Sequence, residues 1–341
     1  MFFIDKYRPI DIKDAAYHKD ILEQLLNISQ DDSIPNIIFY GPTQSGKKTI
    51  VSMFLEMIYD ETVHKTNETK YTTVGSSGTS SEINIQQSNF HILIEPNNNN
   101  SDKYIVQDII KEYAMRIPMN FFKTKKGFKI VLINDVQNLS YHAQTSLRRT
   151  MELYAKTCRF IMISSSLSKV IDPIRSRCHP IRIPSPSRSD ILKLLVDVSL
   201  KEDMTLTLQD FKDIRDKCGR NVKMCLWELE NRKHGIKSKL DLTKRIDMLT
   251  NYLIGKKLES LINIRSILYG ILITNFTGTE IIRLITDAIL QKITVDHQKY
   301  MIIRSASIAE YRLIMGRHES HHLEKFIIDI YCILYGKDIN Y

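Results

Sequence analysis

A glycine-rich stretch that begins at Gly41 has the residue types and spacing of a phosphate-binding loop. It reads Gly41-Pro42-Thr43-Gln44-Ser45-Gly46-Lys47-Lys48-Thr49 and matches the template Gly-x4-Gly-Lys. An apolar run over 36–40 precedes it and helical spacing of apolar residues follows it, so the pattern predicts a strand, a turn and a helix. In that setting, backbone N–H groups and the helix N-terminus bind an anion, while the lysine reaches its outer phosphates.

The position after Lys47 departs from this template. A Ser or Thr hydroxyl is expected there to hold Mg²⁺, but the residue is Lys48. An ammonium group has three hydrogen-bond donors and no acceptor, so it cannot ligate a cation. The next residue, Thr49, carries a hydroxyl that could take its place. The loop is therefore expected to hold ATP or ADP and to be poorly suited to Mg²⁺ and to hydrolysis.

A second apolar run, over 129–134, ends without the acidic pair of hydrolytic phosphate-loop enzymes. One carboxylate of that pair holds Mg²⁺ through water, and the other activates the attacking water. Here the residues are Asn134 and Asp135. Asn134 is neutral and Asp135 is one methylene shorter than Glu, and a misplacement of about 1 Å can cost roughly 100-fold in rate. Asp135 is a weak catalytic candidate, and the start of a turn is the alternative interpretation.

Length and charge favour a multidomain globular protein with a polyanionic partner. The chain has 341 residues, which is more than one ordinary core holds. Its 48 Lys and Arg exceed its 39 Asp and Glu, for a net charge of +9. The five cysteines are scattered and predict neither a disulfide framework nor a zinc site. No apolar run reaches about 18 residues, so no membrane span is expected, and the N-terminus does not resemble a secretion signal.

Apolar patterns divide the chain near Pro184. Before it, apolar runs at 36–40, 90–94, 129–134, 159–164 and 179–183 alternate with helical patterns, which predicts a parallel sheet covered on both faces. The polar stretch 64–89 predicts an exposed insertion with one weak strand. After Pro184 only helical spacing remains, with three helices expected within 188–232 and about five within 241–336.

Four segments occur in order along the chain: Asp5-Lys6-Tyr7-Arg8-Pro9, the loop 41–49, Ala143-Gln144-x-x-Leu147-Arg148-Arg149-Thr150-Met151-Glu152 and Ser176-Arg177-Cys178. They resemble the signature boxes of the small subunits of replication factor C, the AAA+ clamp loader that places a sliding clamp on primed DNA. The likeness is closest to the subunits called 3 and 5, whose loop also reads Gly-Lys-Lys-Thr. It implies an α/β fold with a RecA-like AAA+ domain over 1–184, a helical lid over 185–234 and an all-helical collar over 235–341.

The resemblance implies further nucleotide-binding residues outside the loop. Tyr7, Arg8 and Pro9 would line the adenine and ribose pocket. Ser165 stands where the family carries a sensor Asn. Lys223 is the candidate for the phosphate sensor of the lid, with Arg220 as the alternative. Arg and Lys are not interchangeable at a bidentate phosphate contact, so a lysine at this place would sense phosphate less well.

Arg177 lies in an unaltered motif. In the resembling family this arginine reaches the γ-phosphate in a neighbouring subunit, and such a finger contributes roughly 10³–10⁵ in rate. A surface salt bridge is the alternative. The expected function is a clamp-loader subunit that holds nucleotide without efficient hydrolysis and donates Arg177 in trans. Two alternatives remain: an active ATPase motor subunit of the same complex, and an unrelated kinase or helicase, which would need an intact acidic pair.

Contact with DNA is expected through phosphates, because a loader must accept any sequence. Lys103, Gln107 and Lys111 are spaced by four along one face of a predicted helix and are the candidates, with a solvated face as the alternative. The implied partners are the other subunits of a hetero-pentamer, a PCNA-like sliding clamp and primer–template DNA. The residues leave the source open, so the expected location is the nucleus in a cell or the replication site of a virus.

Overall fold

The chain forms two compact units, Met1–Ile236 and Lys237–Tyr341. The computed structural model describes residues 2–59, 63, 65–74, 80–96, 109–115, 127–235, 241–255, 260–272, 277–316 and 319–335.

The first unit contains a seven-stranded sheet with the order β2-β3-β4-β5-β6-β1-β7. Strands β4, β5, β6, β1 and β7 run parallel, and the register sets Ile37 of β1 opposite Ile161 of β6. This arrangement confirms the predicted parallel-dominant α/β fold. The strands are β1 (Ile37–Tyr40), β2 (Asn67–Val74), β3 (Ser80–Gln87), β4 (His91–Ile94), β5 (Lys129–Ile133), β6 (Cys158–Ser164) and β7 (His179–Arg182).

The stretch 64–89 contains two paired strands, so the prediction of one weak strand was wrong. Strands β2 and β3 pair antiparallel from Asn67 opposite Gln87 to Val74 opposite Ser80, and β3 then pairs antiparallel with β4. Ile85 is fully buried, and Tyr71 packs against the same core. A hairpin at a sheet edge has to bury one face only, so its polar composition concealed a long pair of strands.

Alternate residues of the central strands enter two apolar clusters, one on each face of the sheet. Ile37 and Phe39 pack with the helices Lys19–Gln30 (α2) and Lys47–Tyr59 (α3). Ile38 packs on the opposite face. The helices Lys111–Met115 (α4), Tyr141–Leu153 (α5) and Asp172–Arg175 (α6) cover that second face. The side-chain period of two in a strand makes this division inevitable once both faces are covered.

A group of three helices follows the sheet within the first unit. They are α7 (Arg188–Lys201), α8 (Leu208–Cys218) and α9 (Val222–Lys233). Each begins at a side-chain cap: Ser187 and Thr207 form capping boxes with acidic residues three positions on, and Asn221 accepts from Met224 N. The short N-terminal helix Phe3–Lys6 (α1) packs into their apolar cluster through Phe3.

The second unit consists of helices in the residues that the structure describes. Their shared core includes Leu249, Ile285 and Phe326, which are at most 1% exposed. Of all the helices described in the chain, none combines the length and the apolar character that a bilayer crossing requires. The helices are α10 (Asp241–Ile254), α11 (Ser260–Leu272), α12 (Gly278–Lys292), α13 (Asp296–Met315) and α14 (Glu319–Tyr335).

Candidate functional site

A cavity of about 550 Å³ lies within the first unit, where the phosphate loop meets the ends of β5 and β6, the N-terminal segment and the helices after the sheet. The carboxyl ends of parallel strands are the usual place for a ligand in such a fold. Many of the residues predicted from the sequence line this one cavity. They are Tyr7, Arg8, Pro9, Thr43, Gln44, Gly46, Lys47, Lys48, Thr49, Asp135, Ser165 and Lys223. Gly41, Pro42 and Ser45 belong to the loop but not to the lining.

The loop backbone depends on its glycines. A Cβ on Gly41 would lie 2.0 Å from the carbonyl oxygen of Ile183, and Gly46 has a φ of +92°. Gln44 also adopts a left-handed conformation, with φ of 61°. Only glycine fits at position 41, because a backbone oxygen cannot move aside as a flexible side chain can. The glycine spacing of the sequence is thus explained by backbone packing.

Lys47 is buried at the floor of the cavity, with only 8% of its surface exposed. Its Nζ donates to the carbonyl oxygens of Gly41 at 2.8 Å and Pro42 at 2.6 Å. Burial lowers the pKa of Lys47, and the nearby charge of Asp135 opposes that shift. Neutral carbonyls compensate an ammonium only partly, so an anion in the cavity would be a better partner for it.

Lys48 makes an ion pair at the edge of the loop. Its Nζ lies 2.9 Å from Glu95 Oε1, and the same oxygen accepts from Asn134 Nδ2 at 2.7 Å. The bond from Lys48 is the main cause that lowers the pKa of Glu95. The two positions that hold Mg²⁺ in phosphate-loop enzymes therefore carry an ammonium and a neutral amide. These donors do not fit a divalent cation.

Asp135 lines the cavity but is engaged in a local network. It has φ of 50° and its Oδ1 accepts from Gln137 Nε2 at 3.0 Å. The carbonyl oxygen of the same Gln137 side chain accepts from Ser164 Oγ and from the backbone N–H of Ser165. Gln137 therefore fixes the two strand ends to each other, and Ser165 is held through its backbone.

Glu202 joins the N-terminal segment, which lines the cavity through Tyr7, to the helices that follow the sheet. This carboxylate, whose side chain is 6% exposed, accepts from Lys6 Nζ at 2.6 Å and also from Tyr7 Oη and Lys233 Nζ. These bonds lower the pKa of Glu202 to about 2, with Lys233 as the largest cause. The hydrogen bond to Glu202 therefore sets the position of Tyr7 in the cavity wall.

Lys223 lies at the start of α9, immediately after the apolar residue Val222, and both line the cavity. Leu194 and Leu226 complete an apolar patch on the same side. The rival candidate, Arg220, is exposed and lies outside the lining. The cavity therefore has an apolar wall beside Lys223 and a basic floor at Lys47, an arrangement that suits a ligand with a flat apolar part and an anionic part.

Arg177 is exposed and lies outside the cavity lining. Its Nε and Nη2 contact Glu152 Oε1 at 2.7 and 2.6 Å, and its Nη1 donates to the carbonyl oxygen of Pro173 at 2.8 Å. Gln144 supports the preceding segment: its amide donates to the carbonyl oxygens of Leu139 and Lys169, and its carbonyl accepts from Ile171 N. One helix, α5, thus supplies both the support and the ion-pair partner of Arg177.

Comparison with protein families assigns both units. The model described as "DNA polymerase III, delta subunit" matches residues 17–187, and "Replication factor C subunit 3, C-terminal domain" matches residues 244–338. A putative replication factor C small subunit of Acanthamoeba polyphaga mimivirus is 42% identical over 332 residues, covering 96% of this chain and 90% of the relative. Replication factor C subunit 5 of Saccharomyces cerevisiae is 33% identical, covering 97% and 99%.

The chain belongs to the replication factor C small-subunit family of AAA+ clamp loaders. Replication factor C subunit 3 of Arabidopsis thaliana is 31% identical and covers 96% of each chain. Among solved structures, a DNA polymerase III gamma subunit-related protein from Thermotoga maritima aligns with 91% of this chain and 98% of its own, at 12% identity and a TM-score of 0.47. That likeness is weak, and membership rests on the sequence matches.

Several cavity residues were not predicted from the family motifs. Ile4, Asp14, Ala16, Tyr17 and Leu194 line the cavity, and Glu95 contacts Lys48 without being part of any motif. Glu95 directly follows β4, and residues at the carboxyl ends of parallel strands lie at one edge of the sheet. The position of Glu95 directly after a predicted strand is the sequence signal that could have identified it. The apolar lining residues carry no such signal, because apolar residues in helices usually belong to a core.

The predicted DNA contacts of this replication factor C relative are described only in part. Lys111 is exposed at the first residue of α4. Lys103 and Gln107 lie outside the described residues. The contact of these three residues with DNA stays a prediction.

Proposed function

We propose that this chain is a clamp-loader subunit that holds a nucleotide in its own cavity with little hydrolysis and supplies Arg177 to the site of a neighbouring subunit. One observation carries the proposal. Arg177 is exposed and outside the lining of its own cavity, whereas the metal position of that cavity is occupied by Lys48, bonded to Glu95.

The cavity is suited to a nucleoside phosphate. Lys47 and the backbone of the loop would bind the phosphates, as in other phosphate-binding loops. The apolar patch of Leu194, Val222 and Leu226 would face the base, and Tyr7 stands in the same lining. Lys223 would reach the phosphates from the lid, for which we take residues 185–234. ATP and ADP both satisfy this arrangement.

Efficient hydrolysis at this site would need oxygen ligands for Mg²⁺ at positions 48 and 134, where the chain carries Lys and Asn. A divalent cation requires oxygen ligands, and Lys48 and Asn134 present N–H groups to Glu95. Asp135, the weak candidate for the base, is hydrogen-bonded by Gln137. An active motor subunit is therefore the less favoured alternative.

Arg177 has the properties of a group that acts on another subunit. Its guanidinium is held at the surface by the exposed carboxylate of Glu152, the carbonyl oxygen of Pro173 and the hydroxyl of Ser176. Such exposed pairs exchange partners at little cost. A planar fork of N–H donors matches phosphate oxygens. In a ring of subunits, the neighbour's γ-phosphate would replace Glu152 as its partner.

The remaining partners follow from the family. We propose that residues 235–341 form the collar through which the chain joins the other subunits of a five-membered loader. The loader would act on a PCNA-like sliding clamp and on primer–template DNA. The net charge of +9 favours contact with phosphates, with Lys103, Gln107 and Lys111 as the candidates.

The proposal is tested by Arg177→Ala in the complex reconstituted from this chain and its clamp-loader partners. The measurement is single-turnover ATP hydrolysis at the neighbouring site, with DNA and clamp present. We expect a loss of about 10³-fold or more, since a trans arginine contributes roughly 10³–10⁵. The matched control is Arg148→Ala, because Arg148 contacts the same Glu152 Oε1 at 3.4 Å.

Assembly of each variant complex is checked by size-exclusion chromatography. An Arg177→Ala complex that assembles and hydrolyses ATP at the rate of the wild type contradicts the donation of Arg177. A comparable loss in Arg148→Ala would assign the effect to the exposed charge cluster as a whole and would also count against the specific function of Arg177.

A further inference from the structure

A network beside the phosphate loop joins three residues from separate elements. Lys48 is the second residue of α3, Glu95 follows β4 and Asn134 follows β5. Glu95 Oε1 accepts from Lys48 Nζ at 2.9 Å and from Asn134 Nδ2 at 2.7 Å. Lys48 also lines the cavity, so one ammonium group belongs both to this network and to the ligand site.

The network places a fixed cation where related proteins use an exchangeable one. In hydrolytic phosphate-loop proteins the positions of Lys48 and Asn134 hold a divalent ion through a hydroxyl and a carboxylate. Asn134 is 3% exposed and neutral, and its Nδ2 must face Glu95 because a carboxylate only accepts. Its Oδ1 has no hydrogen-bond partner among the described residues. Position 134 therefore supplies no carboxylate, and the nearby carboxylate of Glu95 is already bonded to Lys48 and Asn134.

The Lys48–Glu95 pair is not explained by folding stability. The side chains are 56% and 59% exposed, and an ion pair with that exposure contributes little to the stability of a fold. Lys48 nevertheless lines the cavity beside the buried, basic Lys47. A charge placed there acts chiefly on an anionic ligand, because the attraction between opposite charges increases as they approach.

We infer that Lys48, held by Glu95, is the built-in counter-charge of this phosphate loop and that the chain binds a nucleoside diphosphate or triphosphate without a divalent cation. The inference rests on the proposed nucleotide-holding function. When the phosphates enter, their oxygens replace Glu95 Oε1 as the acceptor of Lys48, because the more highly charged anion is the better partner for an ammonium. Lys47 supplies the second positive charge from the floor.

The test measures the affinity of the full chain for a fluorescent N-methylanthraniloyl derivative of ADP. Titrations are carried out in excess EDTA and in excess magnesium chloride. The wild-type dissociation constants are expected to agree within about twofold in the two solutions. In Lys48→Thr, which restores the usual hydroxyl, affinity in EDTA falls about tenfold because a charge-assisted bond is lost. Magnesium should recover part of that loss only in this variant.

Two further variants separate the function of Lys48 from a general effect of charge. Glu95→Gln removes the competitor for Lys48, so affinity is expected to rise about threefold equally in both solutions. Lys299→Thr removes a half-buried lysine paired with Asp296 at 3.3 Å in the second unit, and it should bind as the wild type does. Urea midpoints establish that each variant is folded.

Tightening of wild-type binding by about tenfold or more on addition of magnesium would overturn the inference. So would a Lys48→Thr chain that binds in EDTA as well as the wild type. If the folded wild-type chain binds the ADP derivative in neither solution, the inference fails while the donation of Arg177 stands, since that function is decided by turnover at the neighbouring site.

Discussion

The phosphate loop and the Arg177 segment both lie in the first unit, but they hold their cations differently. Lys47 is buried and donates to two loop carbonyls, and Lys48 is paired with Glu95, which follows β4. Arg177 is exposed and paired with Glu152, a single exposed carboxylate. The first region directs its charges into its own cavity, whereas the second presents a charge at the surface.

This difference supports the proposed function, in which the two regions act on different subunits. Under that proposal, a change at the metal position of the loop would leave the function of Arg177 intact. We expect the backbone around each cation to show the same contrast. The loop at the cavity is closely packed against Ile183, whereas the segment before Arg177 is held by the side chain of Gln144. The following predictions test that contrast.

The largest expected effect is on the frame of the phosphate loop. In Gly41→Ala the new Cβ would lie 2.0 Å from the Ile183 carbonyl oxygen, so we expect a loss of about 3–5 kcal/mol in the free energy of unfolding. The control is Gly219→Ala, where φ is +64° but no atom lies within 4 Å, and the cost should be about 1–2 kcal/mol. Urea denaturation measures both, and equal costs would contradict a close-packed loop.

The support behind Arg177 depends on Gln144, which is 3% exposed and bonded to three backbone groups. Gln144→Ala leaves these groups unpaired and should lower the free energy of unfolding by about 2–3 kcal/mol. The exposed Gln209, whose side chain donates to Asp213 Oδ1 at 3.2 Å, provides the control. Urea midpoints of Gln144→Ala and Gln209→Ala that do not differ would mean that the segment before Arg177 is held by other contacts.

The wall of the cavity should be sensitive to pH through Glu202. Its folded pKa is lowered to about 2 from an ordinary 4.5, so the carboxylate stabilises the fold above the ordinary value and this contribution is lost as the pH falls towards 2. Glu202→Gln should therefore lower the melting temperature near neutral pH and have a smaller effect at about pH 3. An effect that is the same at both pH values would exclude the charge of Glu202 as its cause.

The smallest expected effect is that of Glu152→Gln. Bonds from Arg177 are the main cause that lowers the pKa of Glu152, but both side chains are exposed and exposed pairs add little to stability. The urea midpoint should not change measurably, whereas turnover at the neighbouring site in the assembled complex should change because the partner of Arg177 is altered. A clear loss of stability with normal turnover would make Glu152 a structural residue.

Much of the fold follows from apolar patterns in the sequence. The five parallel strands and the three helices after Pro184 lie within about two residues of the predicted bounds. The strands β2 and β3 were missed because several of their described residues, such as Asn67 and Gln86, are polar and exposed and read as a loop. A hydrophobic pattern reveals a strand only where its side chains are buried, and an antiparallel strand at a sheet edge can leave one face in solvent.

The residues of the candidate site could likewise be predicted from the sequence only in part. The residues of the phosphate loop and Arg177 could be identified because their motifs are continuous in sequence, and their functions stay predictions. The contacts of Lys48 with Glu95, and of Tyr7 with Glu202, join residues 47 and 195 positions apart, and no local pattern encodes such pairs.

The sequence by itself determined the family, the alternation of strands and helices, and the replacement of a hydroxyl by an ammonium at position 48, because each of these is written in consecutive residues. Only the tertiary structure decided which carboxylate holds that ammonium and that Arg177 lies outside its own cavity. The reason is physical: the sheet brings Glu95, Asn134 and the loop to one edge, and the identity of such neighbours depends on how the strands are ordered.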